Sequence, residues 1–163
     1  MNEQILREVR ELLKDNCPMK WDCGRKCGAA CCQRDEDGQG GMYLFPNEEI
    51  MTGGDWAQIT PAMMGEREVK MLVCDGRCER DRRPLACMIF PLTPVVDDEG
   101  NVNVRFDCRA RAVCPLVGYG MMGLRRDFVN TVREAMRRIA SDDEGLAFLR
   151  DWQALEEQYD FRL

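Results

Sequence analysis

Histidine is absent from this chain of 163 residues. Its absence excludes Ser–His and Cys–His catalytic pairs, histidine general bases and every metal site with an imidazole ligand. A protein site for a soft metal ion must therefore be rich in thiolates, with Asp or Glu as the only charged supplement. Ligation by thiolates alone suits Zn²⁺ or an iron–sulfur cluster and suits Mg²⁺ or Ca²⁺ poorly.

Long apolar segments are also missing. No run approaches the roughly 18 residues needed to cross a bilayer, so we expect no membrane association. Residues 1–16 mix charged with apolar residues and lack the apolar core of a secretory signal, which predicts a reducing, cytoplasmic location. The net charge of −6 opposes sequence-independent binding to nucleic acid, and we expect no nucleic-acid partner. A protein partner and the oligomeric state stay open.

Cysteine is the abundant reactive residue, with ten copies, about 6 % of the chain. Apart from Cys17 they form a first cluster, C-x3-C-x3-C-C, a second group of three and a third pair, which are Cys23, Cys27, Cys31 and Cys32, then Cys74, Cys78 and Cys87, then Cys108 and Cys114. Disulfides are the alternative to metal ligation. The content lies below the roughly 8–10 % of small secreted disulfide scaffolds, and an adjacent Cys-Cys pair would need two different partners. We therefore favour metal ligation.

The first cluster has two geometric interpretations. If residues 23–32 formed one helix, its first three thiols would lie on one face and span about 12 Å at 1.5 Å per residue. That span is too long for three thiolates to share one Zn²⁺, whose Zn–S distance is near 2.3 Å. Either the thiols serve more than one centre or the chain folds back, which Gly24, Gly28 and the small pair Ala29–Ala30 would permit.

The second group has a clearer geometry. Cys74 and Cys78 flank a predicted tight turn at Asp75–Gly76, and Cys87 follows Pro84, which favours the first position of a short helix. The helix N-terminus and two preceding arginines predict a lowered pKa for the Cys87 thiol. Since this group supplies three thiolates and a closed tetrahedral site needs four, we expect the first cluster to lie against it.

Two stretches together carry a family resemblance. The first is Cys27-Gly28-Ala29-Ala30-Cys31-Cys32, and the second runs from Cys74 to Pro91 through a Cys-turn-Cys, an Arg-Pro, a further Cys and a Phe-Pro. They resemble the YkgJ-type cysteine-cluster family, described as zinc- or iron-chelating proteins. The similar region extends from about Cys23 to Pro91, more than a third of the chain. The resemblance implies metal chelation and, because some relatives carry the motif beside protein-methylating activity, a remote link to methyl transfer.

Spacing and resemblance together predict the metal ligands, which are Cys23, Cys27, Cys31, Cys32, Cys74, Cys78, Cys87, Cys108 and Cys114. Cys17, without a close partner in sequence, is interpreted as a structural thiol. Arg83 and Pro84 are expected to shape the loop that carries Cys87 and to hydrogen-bond nearby groups rather than act in catalysis. Glu48 and Glu49 are interpreted as helix-capping carboxylates in preference to ligands or acid–base groups.

The predicted fold is α+β, a small single domain over 1–163 with cysteine-rich loops, short β-hairpins and a C-terminal pair of amphipathic helices at about 120–160. The apolar pattern predicts a first helix over 2–15 and strands at 42–45, 68–73, 92–96 and 102–106. Ser141-Asp142-Asp143-Glu144 is typical of a capping box at the start of the last helix. Asp35 to Gly41 is predicted to be a polar loop.

We therefore expect a metal-binding protein whose clustered thiolates chelate zinc or an iron–sulfur cluster at one or two centres. One alternative is an iron–sulfur enzyme of electron or group transfer, such as methyl transfer. Another is a zinc-stabilised module for protein interaction. The chain lacks a nucleophile–base pair, a phosphate-binding loop and a dinucleotide fingerprint, so its sequence leaves open whether it is an enzyme.

Overall fold

The structure, a computed structural model, describes residues 1–33, 41–74, 76 and 78–160, the last without its side chain. The helices are α1 (Glu3–Leu13), α2 (Gly24–Cys27), α3 (Leu85–Ile89), α4 (Ala110–Val113), α5 (Arg126–Ala140) and α6 (Asp143–Asp160). The strands are β1 (Met42–Tyr43), β2 (Ala57–Met64), β3 (Arg67–Cys74), β4 (Leu92–Val96) and β5 (Val102–Phe106). Short 3₁₀ turns lie at Ala30–Cys32, Glu48–Ile50, Arg80–Arg82, Pro115–Tyr119 and Met121–Gly123. The predicted α+β class is confirmed.

The first sheet is antiparallel and has the order β1-β3-β2. Its long hairpin pairs Ala57 with Cys74 at one end and Met64 with Arg67 at the other, which places Cys74 at the end of the sheet. Strand β3 agrees with the alternating pattern of residues 68–73, but the sequence pattern did not reveal β2. Pro61 lies inside β2, and proline is tolerated there because β2 is an edge strand.

The second sheet is the predicted hairpin of β4 and β5, with Leu92 opposite Phe106 and Val96 opposite Val102. Helices α5 and α6 pack against it, α1 packs against α5, and all three helices bury their apolar faces. Burying one such large aliphatic or aromatic side chain stabilises the fold by about 1.5–3 kcal/mol, so these apolar faces are the main source of stability of the domain. The C-terminal helix pair is confirmed.

The start of α6 differs in detail from the predicted capping box. The Asp142 carboxylate, through Oδ1, accepts a hydrogen bond from the Gly145 N–H at 3.0 Å. The Ser141 hydroxyl instead donates to the carbonyl of Arg138, at the end of α5, at 2.6 Å. Asp142 therefore caps the helix, because its side chain is the one that reaches the exposed N–H groups of the first turn.

Two sequence predictions fall partly outside the described residues. Of the predicted polar loop at 35–41, the structure describes only Gly41. Of the predicted Asp75–Gly76 turn, it describes only the glycine. Within the described part of the chain, no helix is both long and apolar enough to cross a membrane.

Glu48 ties three parts of the fold together from a fully buried position. Its carboxylate accepts hydrogen bonds from the N–H of Phe45 at 2.9 Å and from the N–H of Leu85 at 2.6 Å, and Arg10 of α1 lies 3.3 Å away. Leu85 is the first residue of α3, so Glu48 does cap a helix, although that helix begins 37 residues further along the chain. Removal from water raises the pKa of Glu48 to about 7, despite these partners.

The raised pKa predicts a pH-dependent contribution of Glu48 to stability. The folded protein holds this proton more tightly than the unfolded chain does, so the contribution is complete below the ordinary glutamate pKa and is lost as the pH rises through about 7. We expect Glu48→Gln to remove up to about 3 kcal/mol of this decline between pH 4.5 and 7.5, measured as the free energy of unfolding in urea. If the variant lost only a hydrogen-bond acceptor, its free energy of unfolding would fall by the same amount at every pH, and the pH slope of the parent protein would be kept.

The control is Glu68→Gln, which changes an exposed carboxylate of β3. This control should keep the pH slope of the parent protein. Parallel stability curves for Glu48→Gln and the parent protein would contradict the assignment.

Candidate metal centre

The first cysteine cluster folds back on itself. Helix α2 has one turn and ends at Gly28, which has a φ of +62°, and Ala29 follows in the same left-handed region at +56°. The N–H of Ala29 donates to the carbonyl of Gly24 at 2.9 Å, and the 3₁₀ turn Ala30–Cys32 then leads the chain away. Of the two interpretations of the spacing, the reversal is confirmed. Gly28 adopts the left-handed backbone without a steric cost, whereas Ala29 does so at a cost of about 1–2 kcal/mol.

The second group approaches the same place from the sheet. Cys74 ends β3, Cys78 lies two residues after Gly76, and Cys87 is the third residue of α3. The predicted short helix after Pro84 is present, with Pro84 as its N-cap and Leu85 as its first residue. The sequence analysis predicted Pro84 as the first helical residue, whereas it occupies the N-cap position just before the helix.

The cysteine segments converge on one pocket of about 120 Å³. Eight of the nine predicted ligands line it: Cys23, Cys27, Cys31, Cys32, Cys74, Cys78, Cys87 and Cys114. The first cluster lies against Gly76, between Cys74 and Cys78, because a Cβ on Gly76 would lie only 2.9 Å from the carbonyl oxygen of Cys32. All ten cysteines of the chain are among the described residues, and no disulfide joins any two of them.

Four of these thiols form one half of the pocket: Cys32, Cys74, Cys78 and Cys87. Burial raises the pKa of the Cys87 thiol, and the charges of the other three raise it further. Arg83 opposes this effect and donates from Nε to the sulfur of Cys78 at 3.2 Å. The predicted lowering of the Cys87 pKa is wrong, because the loss of hydration outweighs the nearby arginine.

The other half contains Cys23, Cys27, Cys31 and Cys114. Burial raises the pKa of Cys114, and the neighbouring thiol of Cys27 adds to this effect. The two halves meet at the adjacent pair, where the hydrogen bond between Cys31 and Cys32 raises the pKa of Cys31 and lowers that of Cys32 to about 6. Arg83 also favours the thiolate of Cys32.

Cys17 is buried beside this half. Its thiol donates to the carbonyl of Trp21 at 3.1 Å, which is the behaviour of a structural thiol. It also contacts the Cys23 thiol, whose pKa burial and then Cys17 raise to about 12. No sequence signal indicated this contact.

Two pocket features were invisible in the sequence. Trp56 lines the pocket, and its indole N–H is buried without a hydrogen-bond partner among the described residues. Gly76 allows the close approach to Cys32, where any side chain would collide. Neither residue belongs to a metal-ligand class, so spacing rules do not mark them.

Cys108 is the one predicted ligand that the structure places elsewhere. It lies with Asp107 and Glu156, and the ligand atoms of the three residues are all within 4.8 Å of one another. Burial and the Asp107 charge raise the pKa of Glu156 to about 7. The cysteines and this group make the chain compatible with metal binding.

Comparison of the chain with protein-family models, with curated proteins and with solved structures found no match. The resemblance to the YkgJ-type family stays a prediction that depends on the two motifs.

The contact at Gly76 predicts how the two cysteine groups depend on each other. Gly76→Ala adds left-handed strain of about 1–2 kcal/mol and forces the Cys32 carbonyl to move, at a further cost of about 1–3 kcal/mol. We expect lower stability and weaker metal retention, measured by urea unfolding and by metal analysis after mild chelation.

Gly65→Ala is the matched control. Gly65 has a φ of +62°, and a Cβ there would meet nothing within 4 Å. The Gly65→Ala variant should lose stability through backbone strain alone, and its metal retention should equal that of the parent protein. Equal metal retention in the two variants would show that contact between the groups is not needed.

Proposed function

We propose that this is a metal-binding protein whose pocket thiolates chelate zinc or an iron–sulfur cluster at one or two centres. The observation that supports this most directly is the convergence of eight cysteines, from three separate parts of the chain, on one pocket. Isolated buried thiols are common as small hydrophobic groups, but that role does not explain eight of them around one cavity.

The division of the pocket supports two centres. Each half contains four thiols, which is the number that closes a tetrahedral zinc site or holds one common type of iron–sulfur cluster. Among the described residues no three of these sulfurs lie within 4.8 Å of one another, so a bound metal would have to draw them together. The adjacent pair Cys31–Cys32 contributes one thiol to each half. The bulk of the hydrophobic core lies in α1, α5, α6 and the second sheet, so metal would organise the pocket more than the domain.

The proposal includes a reducing, cytoplasmic setting and membership of the YkgJ-type family. Thiols at this density would oxidise in an oxidising compartment unless they were metallated. Arg83 fits the predicted supporting role, because its guanidinium donates to Cys78 and favours the thiolate form of its neighbours.

A zinc-stabilised interaction module is the second candidate. The two 3₁₀ turns after Cys114 expose Tyr119 to 62 % and Met122 to 97 %. Large apolar side chains grouped on a surface are a feature of partner-binding sites, and metal bound by Cys114 would hold these turns in place.

Replacement of a pocket cysteine is the main test. Purified protein should contain metal at one or two centres, and Cys78→Ser should lower both metal content and melting temperature, because metal-binding energy is partly folding energy. Cys17→Ser should change neither much, since the serine hydroxyl can still donate to the Trp21 carbonyl. Metal analysis with thiol titration measures the first effect, and broad visible absorption distinguishes an iron–sulfur cluster from colourless zinc.

Two outcomes would contradict the proposal. One is folded, anaerobically prepared protein with ten titrating thiols and no metal. The other is identical behaviour of the two serine variants. If metal is present and Tyr119→Ser or Met122→Ser abolishes a protein interaction while the metal stays bound, the interaction module becomes the better description.

A further inference from the structure

A second group of ligand atoms lies outside the thiol pocket. Asp107 and Cys108 occupy the short link between β5 and α4, and Glu156 projects from α6. One ligand atom from each lies within 4.8 Å of the other two. All three residues are more than nine-tenths buried, with 1 %, 8 % and 3 % of their surfaces exposed.

Glu156 has no hydrogen-bond partner within the described part of the chain. Neither carboxylate oxygen accepts a hydrogen bond of normal geometry, and its ion-pair partner Arg105 lies 3.6 Å from Oε2 and is itself partly exposed. The hydroxyl of Thr93 is next to this carboxylate and also lacks a hydrogen bond of normal geometry. Burying a carboxylate in this way costs several kcal/mol unless a cation compensates it.

Asp107 is compensated and held in place. Arg109 donates from its backbone N–H to Oδ1 at 2.8 Å and from Nε to the same oxygen at 2.9 Å, while its Nη2 contacts Oδ2. When ionised, the two carboxylates and the Cys108 thiolate bring three negative charges, against two positive charges from Arg109 and the partly exposed Arg105. A bound metal cation would neutralise the remaining negative charge.

The donor set identifies the class of cation. Two carboxylate oxygens and one thiolate suit Zn²⁺, whereas Mg²⁺ and Ca²⁺ prefer oxygen ligands alone. Ligand atoms bound to one Zn²⁺ lie about 3.5 Å apart, since Zn–O and Zn–S distances are near 2.1 and 2.3 Å. The present spacing therefore needs only small side-chain rotations to close on an ion.

An open route leads to this group. A pocket of about 800 Å³ is lined by Cys108, Glu156 and Tyr159, among others. Three protein ligands leave the fourth position of a zinc ion for water or a small ligand, and this pocket supplies the access. We propose that Asp107, Cys108 and Glu156 form a separate Zn²⁺ site whose fourth coordination position faces this pocket.

Zn²⁺ and Co²⁺ titration of the 163-residue chain, with its thiol pocket already metallated, tests the proposal. At limiting metal concentration the parent protein should bind one equivalent more than Glu156→Gln or Cys108→Ser. At higher concentration each variant should bind this equivalent with a dissociation constant at least about tenfold larger. Bound Co²⁺ should show a thiolate charge-transfer band that Cys108→Ser lacks. Glu157→Gln, which changes the exposed neighbour on α6, should match the parent protein.

The result is separable from that for the thiol pocket. Cys78→Ser should lose metal from the pocket and keep this equivalent, whereas Glu156→Gln should do the reverse. Equal stoichiometry and affinity in the parent protein, Glu156→Gln and Cys108→Ser would overturn the proposal. Higher stability of Glu156→Gln with unchanged metal content would also overturn it, because Glu156 would then be a buried carboxyl group without a metal role.

Discussion

The convergence of eight thiols on one pocket is the constraint on which the rest of the structure depends. Burial raises the pKa of Cys23, Cys87 and Cys114, and neighbouring thiols raise it further, so their thiolate forms are disfavoured. Arg83 relieves only part of this cost, for the half of the pocket that it contacts. A bound cation is the natural compensation, because metal ligation makes the thiolate the favoured form.

The scaffold holds the thiols by means that are not themselves metal ligands. Gly28 adopts the left-handed backbone of the chain reversal, and Gly76 permits a close contact with Cys32 that a side chain would block. Glu48 connects Arg10 of the helical core to the N-terminus of α3, which carries Cys87. The buried carboxylate of Glu48 therefore fixes α3, which forms one wall of the pocket, against the helical core. The fold itself thus helps to order the pocket, in addition to any bound metal.

The sequence revealed those features whose cause is local. The β4–β5 hairpin and helices α5 and α6 follow from alternating and helical apolar patterns, and the fold-back at Gly28 was one of two stated interpretations. Strand β2 was not predicted because it contains Pro61, and a proline within a segment argues against a strand unless the strand lies at a sheet edge. The pKa of Cys87 and the partner of Glu48 were not predictable from spacing, since burial and contacts between distant segments decide them.

Helix α4 explains why two neighbouring cysteines serve different surroundings. Cys108 lies just before this four-residue helix and Cys114 just after it, and the N–H of Cys114 donates to the Ala110 carbonyl at 2.8 Å. Spacing alone grouped the pair, but a helical turn directs one thiol to the sulfur-lined pocket and the other to two carboxylates. The two proposed sites therefore differ in ligand softness: the sulfur-lined pocket would favour a thiophilic metal or cluster, whereas the site with two carboxylates would accommodate Zn²⁺.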